Sequence, residues 1–314
     1  MLAATTAPAA AWLAGCRDPG IAPDLRPSAR PVALREREIQ RVVAAQATSD
    51  GAGVKLARSL GSRALSMLDP FLMLDEFHTD KASDYLAGFP DHPHRGFETV
   101  TYMIHGAMEH HDSLGNRGRL GPGSVQWMTA GRGIIHSEMP KQQDGLMWGF
   151  QLWVNLPARL KMIKPRYQDI DPSRVGETHI DDSSVRVIAG EAGGLTGPVS
   201  EIVTAPQMLD VTVPARGKSR HRLPPGHNAF AYVFDGAVKL GTSTTRIERG
   251  NIVVLGPGDQ LTASSEEGGR FLLLAGQPIG EPVSRQGPFV MNTDQEIRQA
   301  VDDYRSGRLV DREG

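Results

Sequence analysis

Length, composition and charge set the first limits on this protein. The chain has 314 residues, enough for one large or two medium domains with sizeable cores. Its 34 basic and 36 acidic residues nearly cancel, so charge gives no reason to expect binding to nucleic acid or to a membrane surface. The single cysteine excludes an intramolecular disulfide and fits a reducing compartment, so we expect a cytoplasmic protein. The sequence has no apolar run of about 18 residues, and a transmembrane helix is not expected.

The first part of the chain differs from the rest. Residues 1–35 are rich in alanine and proline and lack a steady hydrophobic period, which predicts a disordered leader. The segment 13–16, Leu-Ala-Gly-Cys, is similar to a lipoprotein cleavage box, so export through Cys16 is the alternative to a cytoplasmic location. No lysine or arginine precedes this segment, whereas an export signal begins with positive charge. We also expect residues 1–28 to be dispensable for folding and for metal binding.

Short apolar runs separated by turn residues indicate a β protein. The 35 glycines and 22 prolines lie mostly between such runs. In chain order, the predicted strands are residues 39–43, 69–77, 97–104, 124–129, 148–154, 185–188, 207–213, 230–234, 252–255 and 271–274.

Two short stretches have a helical pattern. Residues 156–162 start with a proline at the second position and are stopped by Pro165, which predicts a linker helix of one or two turns. Residues 293–296 form a capping box, Thr-Asp-Gln-Glu. An apolar stripe follows at helical spacing and predicts a C-terminal helix that buries Ile297, Ala300, Val301 and Tyr304.

Two pairs of residues carry the candidate chemistry. His92 and His94 are two positions apart, as are His136 and Glu138. In a strand, residues i and i+2 point to the same face, so each pair can reach one point in space. Three imidazoles and a carboxylate suit Fe, Mn, Co, Ni, Cu or Zn. A set with open coordination positions is typical of a catalytic metal site, because structural zinc sites are closed.

The chain also contains an internal repeat. Residues 92–106 align without a gap on residues 222–236, and residues 131–138 align on 256–263, with the turn glycines coinciding. All four candidate ligands change in the second copy, where the aligned residues are Arg222, Pro224, Leu261 and Ala263. The repeat predicts two tandem β-barrels, of which only the first binds a metal.

Five segments resemble the pirin family of the cupin superfamily. They are 69–75 (Asp-Pro-Phe-Leu-Met-Leu-Asp), 92–100 (His-Pro-His-Arg-Gly-Phe-Glu-Thr-Val), 112–116 (Asp-Ser-Leu-Gly-Asn), 131–138 (Gly-Arg-Gly-Ile-Ile-His-Ser-Glu) and 287–292 (Gly-Pro-Phe-Val-Met-Asn). The resemblance implies an all-β bicupin with one iron bound by His92, His94, His136 and Glu138. The expected divisions are a leader (1–35), a metal-binding cupin barrel (36–155), a linker (156–166), a metal-free cupin barrel (167–290) and a C-terminal helix and tail (291–314).

The resemblance leaves two classes of function open. One is a quercetin 2,3-dioxygenase-type enzyme that cleaves a flavonol with O2, in which Glu138 is the candidate general base. The other is a metal-dependent regulatory module that acts on a protein partner as a transcriptional cofactor or enzyme regulator. Iron is the first expectation for the metal, with Ni, Cu, Mn, Co and Zn as alternatives, and the chain is expected to be a monomer.

Further polar residues near the ligand pairs have weaker expected roles. Glu98 is expected to orient a ligand imidazole rather than to bind the metal, as second-layer carboxylates do. His110 and His111 are expected in a solvated turn.

Two further pairs of residues lie near the candidate ligands in the sequence, one of arginines and one of large apolar residues. Arg95 and Arg132 flank the ligand pairs, where they would either guide an anionic substrate or form surface salt bridges. Trp127 and Met128 point to opposite faces of a strand, so each is expected in the core or in a pocket wall that holds an aromatic ring.

Overall fold

The computed structural model describes residues 34–310, and strands dominate that range. The predicted leader lies almost entirely outside the described residues, and so does Cys16. The strands of the first half are β1 (Ile39–Ala44), β2 (Gln46–Asp50), β3 (Val54–Leu60), β4 (Phe71–Thr79), β5 (Phe89–His94), β6 (Phe97–His105), β7 (Met108–Asp112), β8 (Arg117–Leu120), β9 (Val125–Thr129), β10 (Ile134–Pro140), β11 (Met147–Asn155) and β12 (Arg166–Ile170).

The second half continues in the same way and ends in a helix. Its strands are β13 (Gly176–Ile180), β14 (Ser183–Ala189), β15 (Glu191–Ala192), β16 (Leu195–Thr196), β17 (Gln207–Val213), β18 (Lys218–Arg222), β19 (Asn228–Leu240), β20 (Ile247–Glu248), β21 (Asn251–Leu255), β22 (Gln260–Ser264), β23 (Gly269–Gly276), β24 (Ser284–Gln286) and β25 (Phe289–Met291). The α-helix is α1 (Asp294–Arg305), and 3-10 turns lie at Ala82–Asp84, Ala158–Leu160 and Pro172–Arg174. No helix within residues 34–310 is long and apolar enough to span a membrane. The predicted all-β fold is confirmed.

Two antiparallel sheets form the first barrel. One has seven strands in the order β12-β9-β6-β11-β4-β3-β2, and the other has four in the order β5-β10-β7-β8. Alternation along β6 points Thr101 toward the four-stranded sheet, where its hydroxyl donates to Glu138 at 2.8 Å. The neighbouring Val100 and Tyr102 therefore point outward, away from the barrel interior.

The second barrel is built on a ten-stranded sheet. Its main order is β1-β21-β19-β23-β17-β14-β13, with β18, β20 and β22 attached beside it. Apolar side chains fill the interior, among them Val211, Val233 and Leu273. Leu261 and Ala263, which align with the ligand residues His136 and Glu138, belong to this packed core.

The large sheets of the two barrels pack face to face. The outward-facing Phe150 of the first barrel contacts Tyr232 and Phe234 of the second, with ring centroids 6.0 and 5.0 Å away. Buried hydroxyls are satisfied across this interface, because Tyr102 donates to Asp210 at 2.6 Å and Tyr232 donates to Glu76 at 2.7 Å. Aromatic burial with paired polar groups makes this interface a continuation of the core.

Strand pairing departs from the predicted division of the chain in two places. Strand β1, expected in the first barrel, pairs with β21 of the second. Strand β12 begins inside the expected linker and pairs with β9 of the first barrel, and the helical turn before it is only the 3-10 turn Ala158–Leu160. In both cases the added strand covers an edge of a sheet, and edges need covering because they carry unpaired backbone groups.

The C-terminal segment docks on the first barrel. Thr293 Oγ1 accepts from the Glu296 amide at 3.2 Å, and Glu296 Oε2 accepts from the Thr293 amide at 2.9 Å, so the predicted capping box is confirmed. Of the predicted apolar stripe, Ile297 and Ala300 are buried, whereas Tyr304 is 41% exposed. The preceding strand β25 joins the barrel through a Val290 amide that donates to the Arg95 carbonyl at 3.0 Å.

The internal repeat is visible in the strand register, with one correction. His136 lies opposite His92 across β10 and β5, and Leu261 lies opposite His221 across β22 and β18. The residue in the place of His92 is therefore His221, not Arg222 as the ungapped alignment predicts. The alignment fails there because the turn between β18 and β19 is longer than the turn between β5 and β6.

Candidate metal centre

Three histidines from two paired strands meet inside the first barrel. His92 and His94 share a face of β5, and His136 comes from β10 directly opposite His92. One nitrogen from each ring lies within 4.8 Å of the other two. The ring centroid of His136 lies 4.3 Å from that of His92 and 4.9 Å from that of His94. The spacing of the histidines in the sequence thus predicted their convergence.

The protonation and hydrogen bonding of the cluster suit a metal. Burial holds the pKa of His94 and His136 well below the usual range, so both are the neutral imidazoles that metal binding requires. Nδ1 of His92 lies 2.8 Å from the Pro90 carbonyl, which leaves Nε2 for a ligand. The buried Nε2 of His136 has no hydrogen-bond partner in residues 34–310, a costly state that coordination would relieve.

Glu138 lies at the wall of the same cavity, but its carboxylate is not part of the 4.8 Å cluster. A β-bulge between His136 and Glu138 shifts it along the strand relative to β5. Its Oε1 accepts from the Thr101 hydroxyl and its Oε2 from the Gln151 amide, each at 2.8 Å. A carboxylate has about four acceptor sites, so both oxygens keep capacity for another partner.

A cavity of about 570 Å³ opens beside the cluster. This size lies within the range of roughly 300–1,000 Å³ that is usual for small-molecule sites. Met73, Phe89 and Trp153 supply apolar walls, and His92, His94 and Glu138 supply polar groups. The arrangement can hold a flat apolar molecule with one polar edge against the histidines.

Two arginines that the sequence analysis did not single out also line the cavity. The Arg58 guanidinium pairs with the buried carboxylate of Asp75, with its two nitrogens 2.8 and 2.6 Å from the two oxygens. Arg285 reaches in from β24 and lies 4.6 Å from the centre of the Trp153 ring. Arg58 lies two residues after Leu56, which lines the same cavity, so alternation along β3 places it there, whereas Arg285 reaches the cavity through long-range packing.

Glu98 does not have the predicted role. It lies on the outer face of β6, where Oε1 accepts from the Thr129 hydroxyl at 2.7 Å. Burial raises the pKa of its carboxyl. Because alternation directs Thr99 and Thr101 inward, the intervening position must point away from the histidines, and Glu98 cannot orient them.

The place of His110 was also predicted wrongly. It lies on strand β7 instead of in a solvated turn, and it is buried, whereas its neighbour His111 is exposed. Its Nδ1 lies 3.3 Å from Nδ1 of His136, and its ring packs on Tyr167 at 4.9 Å. Strand alternation is the sequence signal that could have located it, because His110 lies two residues after the apolar Met108 and so shares its face of the strand.

Arg95 and the neighbouring aromatic pair serve the fold. The Arg95 side chain donates to the Arg132 carbonyl and forms a 2.8 Å ion pair with Asp303 of α1, so of the two roles expected for it the salt bridge is the one observed, and it is buried. Trp127 lies in the core between the barrels, and Met128 packs in the first barrel. Neither lines the cavity, so the expected aromatic wall comes from Trp153 and Phe89.

The chain folds into two related barrels, and one of them holds a cluster of three histidines. These features define the class of protein as a two-barrel cupin with a candidate metal centre. The family model described as Pirin matches residues 53–154, and the one described as Pirin C-terminal cupin domain matches residues 208–310. The chain belongs to the pirin family. The resemblance inferred from the five sequence segments is therefore confirmed.

Individual relatives support the same assignment. The chain is 49% identical over 275 residues to a pirin-like protein of Caulobacter vibrioides, with 87% of this chain and 99% of the relative covered. It is 40% identical over 277 residues to pirin of Homo sapiens, with 87% and 93% covered. A crystal structure of quercetin 2,3-dioxygenase from Acinetobacter baumannii matches with a TM-score of 0.81 at 33% identity, covering 87% of this chain and 98% of that one.

Proposed function

We propose that this protein is a metal-dependent dioxygenase that cleaves flavonols such as quercetin with O2. The observation that carries the proposal is the histidine cluster that opens into an apolar cavity of about 570 Å³. A structurally similar protein of Acinetobacter baumannii is named quercetin 2,3-dioxygenase, which supports the substrate class. The proposed metal ligands are His92, His94, His136 and Glu138.

The metal that we propose is iron, although imidazole and carboxylate ligands also suit Ni, Cu, Mn, Co and Zn. When bound, it supplies Lewis-acid and one-electron chemistry at the open end of the histidine cluster. The neutral state of His94 and His136, imposed by burial, leaves their lone pairs free for coordination.

The chain itself positions the substrate and moves its proton. Glu138 takes the proton of the reacting flavonol hydroxyl onto a carboxylate oxygen, as a general base does. Thr101 and Gln151 fix that carboxylate by one hydrogen bond to each oxygen. Trp153 and Phe89 hold the flat ring, and the apolar walls exclude water from the reacting edge.

The test is direct. Protein with a verified full complement of iron is incubated with quercetin in air, while the loss of visible absorbance and the release of carbon monoxide are followed. Loss of absorbance that requires both metal and O2 is the expected result, and the same protein stripped by a chelator is the control. If fully loaded protein leaves quercetin and related flavonols unchanged, the enzyme proposal falls, and the metal-dependent regulatory module with a protein partner replaces it.

We also propose that the chain acts as a monomer in the cytoplasm. The apolar faces of the large sheets already cover each other within one chain, so a second copy is not needed to bury them. A single cysteine fits a reducing compartment. Sedimentation at micromolar concentration and fractionation of the native host test the two parts separately.

A further inference from the structure

Strand β10 lies between the strand that carries two histidines of the cluster and a strand with a buried histidine of its own. On one side, His136 lies opposite His92 of β5, and on the other side it lies opposite Asp112 of β7. His110 precedes Asp112 by two residues, so it shares that face of β7 and is the diagonal neighbour of His136. The ring of His136 therefore has the other histidines of the cluster on one side and His110 on the other.

The hydrogen bond between these two buried rings joins nitrogen to nitrogen. Nδ1 of His136 lies 3.3 Å from Nδ1 of His110. Two neutral imidazoles share such a bond with the proton on one nitrogen and the lone pair on the other. Because Nδ1 of His136 is used in this way, its Nε2, which has no hydrogen-bond partner among the described residues, is the atom left for a metal. A neutral imidazole that coordinates through Nε2 carries its proton on Nδ1, so His136 is the donor and His110 the acceptor.

The fold alone gives little reason for a histidine at position 110. Within residues 34–310, the bond to His136 is the one side-chain hydrogen bond that His110 makes, and its buried Nε2 has no partner. His110 is also absent from the lining of the cavity beside the cluster, so it does not reach a substrate there. Burial of a polar ring with one nitrogen unpaired is unfavourable, and an apolar side chain would fill the same space without that cost. The defined hydrogen bond to His136 is what this histidine adds.

A carboxylate lies close to His136, but it is already used. Asp112, directly opposite on β7, is the kind of group that commonly binds the outer nitrogen of a ligand histidine. Its Oδ1 instead accepts from the Leu114 and Asn116 amides, each at 2.9 Å, and its Oδ2 accepts from the Asn116 side chain at 2.8 Å. These bonds hold the turn after β7. The outer contact of His136 is therefore made by His110.

We propose that His110 is a positioning residue of the metal centre. It accepts a hydrogen bond from Nδ1 of His136 and so keeps Nε2 of that ring unprotonated and available to the metal. The inference rests on the proposed metal ligands, and it requires neither a flavonol nor O2. The outer partner of His92 is the Pro90 carbonyl, which no side-chain substitution removes. The outer partner of His136 is a side chain, so mutation can remove it and leave all the proposed ligands in place.

The experiment measures Co²⁺ binding to the full-length protein, because the visible absorption of bound Co²⁺ reports the geometry of its ligands. Competition with a chelator gives the dissociation constant. His110→Leu removes the acceptor and should change the visible bands and weaken binding by about 10- to 100-fold, as loss of the outer partner of a ligand histidine does. His110→Asn should restore most of the affinity, because its side-chain oxygen is bonded to Cγ, as Nδ1 of histidine is. His111→Leu, at the exposed neighbour on β7, is the control and should match the wild type.

A second readout needs no metal. In the metal-free wild type, nitrogen-15 NMR of the imidazoles should find the proton of His136 on Nδ1 and the proton of His110 on Nε2. In His110→Leu, His136 should no longer be held in the Nδ1–H form, because the hydrogen bond that selects this tautomer is gone. The unfolding transition of each variant shows that it is folded. Should His110→Leu not fold, the wild-type tautomers and the affinity of His110→Asn decide the question.

Several results would overturn the inference. Wild-type affinity and visible bands in His110→Leu would show that His136 needs no outer partner, and equal weakening in His110→Leu and His110→Asn would show that the ring only fills space. A His136 proton on Nε2 in the wild type would also contradict it. Wild-type protein that binds no Co²⁺ would remove the proposed ligands and this inference together. Wild-type protein that binds Co²⁺ but leaves quercetin unchanged when loaded with iron would end the dioxygenase proposal alone.

Discussion

The positions of single side chains around the histidine cluster follow from strand alternation, and for this reason the sequence could identify the three histidines. His92, His94 and His136 converge because their strands pair with one another. Alternation also turns Glu98 outward and His110 inward, against the roles expected for them. Arg58 was missed because β3 was not among the predicted strands, and Arg285 could not be predicted in this way, because only the packed fold brings it to the cavity.

Glu138 is the residue whose replacement best separates catalysis from metal binding. Glu138→Gln keeps an oxygen for coordination but cannot accept the flavonol proton, so turnover should fall by ~10²-fold or more while part of the metal remains. Metal content and the initial rate of quercetin loss are measured on the same sample. Glu109→Gln, at a surface acid that pairs with Lys141, is the control and should keep the wild-type rate. A Glu138→Gln enzyme with wild-type turnover would contradict the proposed base.

The burial of His221 predicts how the free energy of unfolding depends on pH. Its pKa falls from 6.5 to about 4 on folding because burial disfavours the charged ring, and Asp181 opposes this shift. As pH falls below 6.5, the unfolded chain therefore binds a proton that the folded chain does not. The resulting stability is fully present above pH 6.5 and is lost down to about pH 4, with a total of at most about 3 kcal/mol.

The measurement is the free energy of unfolding at a series of pH values. His221→Gln should show a shallower decrease between pH 6.5 and pH 4 than the wild type. His179→Gln, at an exposed histidine of β13, is the matched control and should follow the wild type. Identical slopes for wild type and His221→Gln would contradict the burial argument.

At the scale of elements, local sequence signals located the C-terminal helix but not its docking site. The capping box at Thr293 and Glu296 marks where α1 begins. What fixes its position is distant in sequence, namely the ion pair between Arg95 and Asp303 and the pairing of Val290 with the Arg95 backbone. The buried Lys161 adds a third tie, because its ammonium donates to the Gly96 and Val290 carbonyls at 2.7 and 3.1 Å.

Gly96 tests how tightly this segment docks. Gly96 and Gly115 have the same positive φ of 87°, but a Cβ at Gly96 would lie 2.0 Å from the Val290 carbonyl oxygen, while one at Gly115 would meet nothing within 4 Å. Gly115→Ala should cost about 1 kcal/mol from backbone strain alone. Gly96→Ala adds a steric clash and should cost about 3 kcal/mol or more, with faster proteolysis near β25. Equal stability losses in denaturant unfolding would show that the segment is loosely held.

At the scale of the whole molecule, the internal repeat predicted two barrels. It did not predict that the first strand would join the second barrel or that the C-terminal segment would pack on the first. Strand β1 completes the second barrel, and the C-terminal segment covers the first. Arg37, which precedes β1, also binds to the second barrel. Its buried guanidinium donates to the His227 and Gly258 carbonyls at 2.9 and 3.0 Å. Sequence separation of about 200 residues hides such contacts from any local pattern.

Two deletions measure the contribution of the first strand. Removal of residues 1–28 should leave Tm and metal content unchanged, as the composition of that segment predicts. Removal of residues 1–44 also takes away β1 and Arg37, and exposes the edge of β21. The loss of several kcal/mol should lower Tm by ~10 °C or more. Equal transitions for the two shortened proteins would mean that β1 contributes little to the second barrel.

The central claim is that one metal binds at the histidines of the first barrel and none in the second. Its most direct test is the metal content per folded chain by mass spectrometry, for wild type, His94→Ala, His221→Ala and the exposed control His111→Ala. We predict one equivalent in the wild type and in the His221→Ala and His111→Ala variants, and nearly none in His94→Ala. Near-full metal in His94→Ala, or two equivalents in the wild type, would contradict the account.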